Sequence, residues 1–210
     1  KPDKPEDIVH RAIGLYRLKE FPYDFEFSSE IETEVHYESS ADESMTHVVY
    51  HTAVGTISVR HGITAEMKKS GASITWVKEH AIKCKEDYHT LAHLFGNLKL
   101  KPAYGRFKQW KDSVGEDGIA VAQGLGLACS SPMHFIQKTL LDATDFYLHY
   151  HDYPREMAEL VEALEPVYDQ LIGILAGSPA DALLWSANVD DMITYPTYFE
   201  KDILPWCRKD

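Results

Sequence analysis

The chain has few cysteines, few basic residues and no long apolar run, and these features limit the compartment and the partners that can be expected for it. Its 210 residues include three cysteines, Cys84, Cys129 and Cys207, and no two of them have CxxC spacing. An odd number of distant thiols is typical of reduced intracellular proteins rather than of disulfide frameworks. Cys84 and Cys207 have no basic neighbourhood arranged to make either of them a nucleophile. We therefore expect a cytoplasmic protein with structural cysteines.

Lysine and arginine are also scarce relative to acidic residues. The chain has 21 basic and 33 acidic residues, which gives a formal net charge of -12. Such a surface repels phosphate backbones, so no nucleic-acid partner is expected. No apolar run approaches the roughly 20 residues that cross a bilayer, and the first residues lack the apolar core of a signal peptide. We expect no membrane partner either.

The block from residue 21 to residue 80 is rich in strand signals. Alternating β-branched and aromatic residues occupy 47–52 and 56–60, and Gly55 supplies a turn residue between them. This pattern predicts a β-hairpin, and residues 73–78 read as a further strand. We interpret the whole block as an insertion on the rim of a larger domain.

Helix and strand signals alternate after residue 84. An apolar strand is predicted at 119–122, a helix after Ser131 and Pro132, and a long amphipathic helix from Pro154. A strand buried on both faces is predicted at 182–185, followed by a last helix at 198–208. A helix is also predicted at 7–19. The alternation favours βαβ units with a parallel sheet.

The segment that follows the strand at 182–185 is the leading candidate for a site. In parallel α/β proteins, ligands bind at the carboxyl ends of strands. Here Trp185, itself expected to bind substrate, ends the strand, and the polar residues Asn188, Asp190 and Asp191 follow it. Asn188 is expected to bind substrate, and the two aspartates are expected to act as acid, base or electrostatic groups. The alternative is that all three side chains stabilise a turn or cap the local backbone.

A second loop follows the strand at 119–122. Gln123 is the polar residue nearest its end, and Gly124 and Gly126 form a GxG that lacks the third glycine of a dinucleotide site. A loop of small residues leaves room for a flat ligand. Gln123 is therefore a second candidate for substrate binding.

Acidic and histidine residues elsewhere give weaker signals. Asp24 and Glu26 alternate with aromatics, so they either face a pocket, where they could bind cationic or pyrrole N–H groups, or lie on a solvated strand face. His149 and His151 close a helix and point apart. His89 has a partner at i+4 but no HExxH acid. No metal site is predicted within this chain.

Several segments resemble, in the same order, the uroporphyrinogen decarboxylase superfamily, which includes the decarboxylase and the corrinoid-linked methyltransferases. HTAVGT looks like the family's "TPvGT" hairpin, and AIKCKEDY looks like its "pIKt.eDy". The segments are residues 51–56, 81–88, 131–132, 152–154, 188–191, 194–199 and 204–206. The resemblance adds His51 to the expected substrate-binding residues.

The resemblance implies an α/β fold of the (β/α)8 TIM-barrel type whose pocket accepts a tetrapyrrole or presents a methyl carrier. Such barrels usually need about 250 residues, so residues 1–210 are expected to form a single, incomplete barrel domain. Residues 21–80 are then the β-hairpin insertion on its rim, and residues 84–210 are the βα units.

The resemblance implies an enzyme, and methyl transfer associated with a corrinoid carrier protein is the leading hypothesis. Uroporphyrinogen decarboxylation is the alternative, because the family's arginine-rich amino-terminal loop is absent and its pocket tyrosine falls near Gln137 or Lys138. An inactive fragment or binding module is the second alternative. No cofactor is expected within this chain, and the resemblance leaves open whether the full-length protein holds a corrinoid or zinc.

Overall fold

The computed structural model describes residues 20–40, 43–70, 75–185, 189 and 191–208. These residues group into two compact units. The first contains residues 20–26, 99–130 and the described residues from 168 onward, and the second contains 27–98 and 131–167. The helix predicted at 7–19 lies outside the described residues.

Strands and helices alternate irregularly along the described chain. In order they are β1 (Tyr23–Phe27), β2 (Glu32–Ser39), β3 (Ser44–Thr52), β4 (Gly55–Ile63), α1 (Ala65–Lys69), β5 (Trp76–Glu79), α2 (Glu86–Gly96), β6 (Leu98–Pro102), α3 (Tyr104–Val114), β7 (Val121–Gln123), α4 (Leu125–Ala128), α5 (Pro132–Phe135), α6 (Ala143–Asp152), α7 (Pro154–Ala176), β8 (Ala182–Leu184), α8 (Pro196–Tyr198) and α9 (Leu204–Cys207). Gly115–Asp117 is a 3-10 turn, and π-helical turns at Ile136–Leu140 and Phe199–Ile203 extend α5 and α8.

A four-stranded antiparallel sheet in the order β2-β3-β4-β5 dominates the second unit. The hairpin predicted around Gly55 is confirmed as β3 and β4. Its turn is closed by Thr52, whose Oγ1 accepts from the amides of Val54 and Gly55, each at 3.1 Å. A Cβ on Gly55 would lie 2.6 Å from Thr90 Oγ1 on α2, so the glycine allows the hairpin to approach that helix closely.

A second glycine, Gly62, lies where β4 passes β3. A Cβ at this position would overlap the carbonyl oxygen of Ser44 and would contact Met45. Since the obstructing atoms include backbone, they cannot rotate away as a flexible side chain could. The register of β3 and β4 therefore requires glycine at this position.

Local capping explains where several helices of the second unit begin. Ser131 Oγ accepts from His134 N at 3.0 Å, and Pro132 follows in the first turn of α5, which confirms the predicted helix start. Asp142 accepts from Thr144 N at 2.8 Å at the start of α6. The long helix predicted from Pro154 is also confirmed, as α7.

The first unit contains a parallel pair of strands. β7 and β8 pair with Val121 opposite Ala182 and Gln123 opposite Leu184. Asp181 supports the beginning of the pair, because its carboxylate accepts from Ala120 N at 2.8 Å and from Lys111 Nζ at 2.5 Å. The pairing confirms that these two predicted strands are parallel neighbours.

The predicted (β/α)8 TIM barrel is wrong. Among the described residues, the strands form one four-stranded antiparallel sheet and two two-stranded sheets, β1-β6 and β7-β8. β1 and β6 also run antiparallel, because Ser28 N donates to Asn97 O at one end and Ala103 N donates to Pro22 O at the other. Alternation of helix and strand predicts repeated βαβ units, but within the part of the chain that the structure describes only β7 and β8 pair in parallel.

The expectation that the strand at 182–185 is buried on both faces is also wrong. Leu183 and Leu184 in β8 are 49% and 38% exposed. The apolar run was typical of a central parallel strand, but among the described residues β8 pairs only with β7. Within the described part of the chain, no helix is long and apolar enough to span a membrane.

Candidate functional site

The carboxyl ends of β7 and β8 bring two of the predicted site residues together. Gln123 lies opposite Leu184, the residue before Trp185, and Gly124 N donates to Leu184 O at 3.1 Å. A Cβ on Gly124 would lie 3.4 Å from two ring atoms of Trp185. The absence of a side chain at residue 124 therefore lets the indole ring lie close to the loop backbone. We call residues 123–129 the β7 loop.

Two buried tyrosine hydroxyls hold the β7 loop by its backbone. Tyr23 Oη donates to the carbonyl oxygens of Gln123 and Gly124, each at 3.3 Å, and Tyr168 Oη donates to Cys129 O at 3.1 Å. Burial raises the pKa of both hydroxyls well above the ordinary tyrosine value. Both side chains therefore stay neutral and remain hydrogen-bond donors at physiological pH.

Tyr168 also anchors an aromatic cluster, formed with Trp185 and Trp206. Its ring centroid lies 6.2 Å from that of Trp185 and 5.5 Å from that of Trp206, and both contacts are edge-on. Such aromatic pairs contribute about 0.5–1.5 kcal/mol beyond the area they bury. One side chain thus fixes both the β7 loop and the position of the Trp185 ring.

The β7 loop contains an unusual backbone conformation. Ala128 has a φ of 59° and is buried, and Gly126 also has a φ of 59°. An L-residue in the left-handed region costs about 1–2 kcal/mol, and such residues cluster at functional sites. The packing around Ala128 therefore holds this loop in a strained conformation.

Of the polar residues predicted to form a site at this edge, the structure describes two and leaves two outside its described residues. The Gln123 amide is half-buried and contacts Gly126 O at 3.4 Å, a long hydrogen bond that a ligand could replace. Asp191 is exposed in a turn. Asn188 and Asp190 lie outside the described residues.

The two carboxylates predicted on β1 are exposed and ion-paired. Asp24 Oδ1 lies 2.8 Å from Arg106 Nη2, and Glu26 Oε2 lies 2.6 Å from Lys101 Nζ. The hydrogen bond that Arg106 donates to Asp24 raises the pKa of the Arg106 guanidinium. A cationic or pyrrole ligand would have to compete with these side chains, and ligand binding by Asp24 and Glu26 stays a prediction.

His51 belongs to the second unit, where it lies on β3. Its Nε2 lies 3.3 Å from Glu34 Oε1, and its Nδ1 lies 3.2 Å from Thr56 Oγ1. Both ring nitrogens therefore contact neighbouring strands of the four-stranded sheet. Among the residues that the structure describes, no group of three or more histidine, cysteine, aspartate or glutamate side chains is placed to hold a metal ion.

Tyr23 and Tyr168 are the residues that sequence reasoning did not assign to the site. Tyr168 was visible only as one position of the amphipathic pattern of α7, and Tyr23 only as part of an aromatic alternation. Their partners lie 39 and about 100 positions away. No short-range pattern in the chain indicates such contacts.

Comparisons with known proteins add no assignment to this geometry. No family model matches the chain, and no match was found among the curated proteins or the solved structures. The chemistry of the β7 loop and of Trp185 must therefore be inferred from the residues themselves.

Proposed function

We propose that the carboxyl edge of β7 and β8 binds a flat small molecule, and that the chain acts in methyl transfer associated with a corrinoid carrier. The observation that carries the binding proposal is the close approach of Gly124 to the Trp185 ring, with Gln123 beside them. The reaction itself rests on the resemblance to the corrinoid-linked methyltransferases.

The residue types at this edge suit a flat ligand with polar substituents. Trp185 provides an aromatic surface, and its ring lies against the backbone of Gly124 in the β7 loop. Ligand sites commonly combine apolar walls with a few placed polar groups. The Gln123 amide is one such group, and Asn188, Asp190 and Asp191 follow Trp185 closely in the chain.

The chain's own residues have separate roles in this proposal. Trp185 stacks on the ring system of the ligand, and Gln123 and Asn188 hydrogen-bond its polar edge. Asp190 and Asp191 provide carboxylates for proton transfer or charge stabilisation. A corrinoid fits this set because its planar macrocycle carries amide side chains, and it would supply the cobalt centre that carries the methyl group.

The ion pairs on β1 favour this reading over uroporphyrinogen decarboxylation. Pyrrole N–H groups need acceptors, and the carboxylates of Asp24 and Glu26 are already paired with Arg106 and Lys101. A porphyrinogen bound there would share each carboxylate with a cationic side chain that already occupies one of its oxygens.

Calorimetric titration with methylcobalamin, and separately with uroporphyrinogen, tests the proposal. We expect methylcobalamin to bind, and Trp185→Leu to weaken that binding at least about tenfold because the aromatic surface is lost. Asn188→Ala is expected to weaken binding with little loss of stability. Trp76→Leu, which changes an exposed tryptophan on β5 of the second unit, is the matched control and is expected to leave the affinity unchanged.

Three results would count against the proposal. The binding site is wrong if Trp185→Leu and Trp76→Leu affect affinity equally, or if neither compound binds. The reaction is wrong if methylcobalamin binds but its absorbance spectrum never changes in the presence of methyl acceptors. Conversion of uroporphyrinogen to coproporphyrinogen would replace methyl transfer by the decarboxylase alternative.

A further inference from the structure

We propose that His36 and His47 form a binding site for a divalent transition-metal ion on one face of the four-stranded sheet. This site is independent of the β7 loop. It involves two neighbouring strands, β2 and β3, and side chains that solvent can reach.

The register of β2 and β3 places the two imidazoles side by side. His36 lies directly opposite His47, so both side chains project from the same face of the sheet. Their ring centroids are 5.9 Å apart. A metal bound about 2.1 Å from a ring nitrogen lies roughly 3.2 Å from the ring centroid, so two imidazoles on one metal have centroids roughly 5–6 Å apart. The observed separation falls in that range.

Glu34 provides the supporting carboxylate that metal-bound histidines usually have. Its Oε2 accepts from His36 Nε2 at 3.1 Å, and its Oε1 lies 3.3 Å from His51 Nε2. A carboxylate bonded to one ring nitrogen fixes the tautomer and leaves the other nitrogen free to bind metal. For His36 the available atom is therefore Nδ1. His51 in turn fixes the orientation of Glu34.

The charges on this face do not oppose a cation. Arg60 on β4 lies opposite His47, but its guanidinium is paired with Glu38 at 3.1 Å. Lys83 is paired with Glu79, also at 3.1 Å. The Arg60 and Lys83 side chains thus each have an acidic partner, and Glu34 adds a further negative charge.

The ligand types determine which ions would bind. Imidazole prefers zinc, copper and nickel, whereas magnesium and calcium prefer oxygen ligands. The His36 side chain is 56% exposed, so water can complete the coordination of a bound ion. A site with two protein ligands and open positions is consistent with the absence of a group of three or more ligands among the described residues.

Titration with Zn²⁺ by calorimetry, with Mg²⁺ as the negative control, tests the site. We expect one zinc ion to bind, and His36→Ala and His47→Ala each to weaken binding at least about tenfold because one of two ligands is lost. His61→Ala is the matched control. His61 lies on β4 opposite Thr46, one register position from His47, and so projects from the other face of the same sheet. It is expected to leave zinc affinity unchanged.

The Glu34→Gln variant tests whether Glu34 supports His36 through a hydrogen bond or is itself a ligand of the metal ion. Loss of a supporting carboxylate typically lowers metal affinity 10–100-fold, so we expect roughly tenfold weaker zinc binding with the stoichiometry retained. Zinc is also expected to raise the melting temperature of the unsubstituted protein and of His61→Ala, but not that of His47→Ala. Equal losses in all three histidine variants, no loss in any of them, or no zinc binding at all would overturn the proposal.

Discussion

The four-stranded sheet and the β7 loop are fixed by different kinds of interaction. In the sheet, neighbouring strands pair through their backbones, and polar side chains such as His36 remain exposed. In the β7 loop, the hydroxyls of Tyr23 and Tyr168 reach backbone carbonyls from distant parts of the sequence. The sheet can therefore change its surface side chains with little effect on its fold, whereas the β7 loop depends on individual buried side chains.

The largest effect is expected from a substitution that separates two strands of the sheet. Gly62→Ala would place a Cβ against the Ser44 carbonyl oxygen, which can move only if β3 and β4 move apart. We expect a loss of about 3 kcal/mol in the free energy of unfolding, measured by urea denaturation.

Gly124→Ala is the matched glycine substitution in the β7 loop. Its Cβ would only contact the Trp185 ring, at 3.4 Å, so a loss below about 1 kcal/mol is expected. If the two alanine variants were equally stable, the close approach at Gly62 would not be what sets the register of β3 and β4.

An effect smaller than that of Gly62→Ala is expected when the Tyr168 hydroxyl, which holds the β7 loop, is removed. Tyr168→Phe removes the hydrogen bond that the Tyr168 hydroxyl donates to Cys129 O, and we expect a loss of about 1–2 kcal/mol in unfolding free energy. The near-ultraviolet circular dichroism of the tryptophans should be retained, because the ring that contacts Trp185 and Trp206 is unchanged.

Tyr37→Phe provides the control on the sheet. Tyr37 lies on β2 and is 79% exposed, so its variant is expected to unfold within about 0.5 kcal/mol of the unsubstituted protein. Equal losses in Tyr37→Phe and Tyr168→Phe would mean that the buried hydrogen bond to Cys129 does not stabilise the β7 loop.

Elements specified by adjacent residues could be predicted from the sequence. The hairpin around Gly55 and the start of α5 at Ser131 depend on turn and cap chemistry within a few positions. Strand partners could not be predicted so well, because pairing depends on distant segments. The barrel prediction failed for this reason, although the parallel pairing of β7 with β8 was expected.

The candidate site was predictable only in part. The rule that ligands bind at the carboxyl ends of parallel strands led to Gln123 and Trp185, which the structure places at the ends of adjacent strands. The cross-strand pairing of His36 with His47 depends on the register of two strands, which neither residue reveals alone. The Tyr23 hydroxyl donates to carbonyl oxygens of the β7 loop that lie about 100 positions further along the chain, a contact that no local pattern predicts.

The parallel pairing of β7 with β8 also bears on the order of folding. Residues 121–123 must find residues 182–184, whereas β3 and β4 are joined by a short turn. Contacts between distant residues require a larger loss of chain entropy before they stabilise the fold. We expect pulsed hydrogen exchange during refolding to show protection of the β3–β4 amides before that of Gly124 N. The loop proposed to bind the ligand would then be among the last parts of the chain to become ordered.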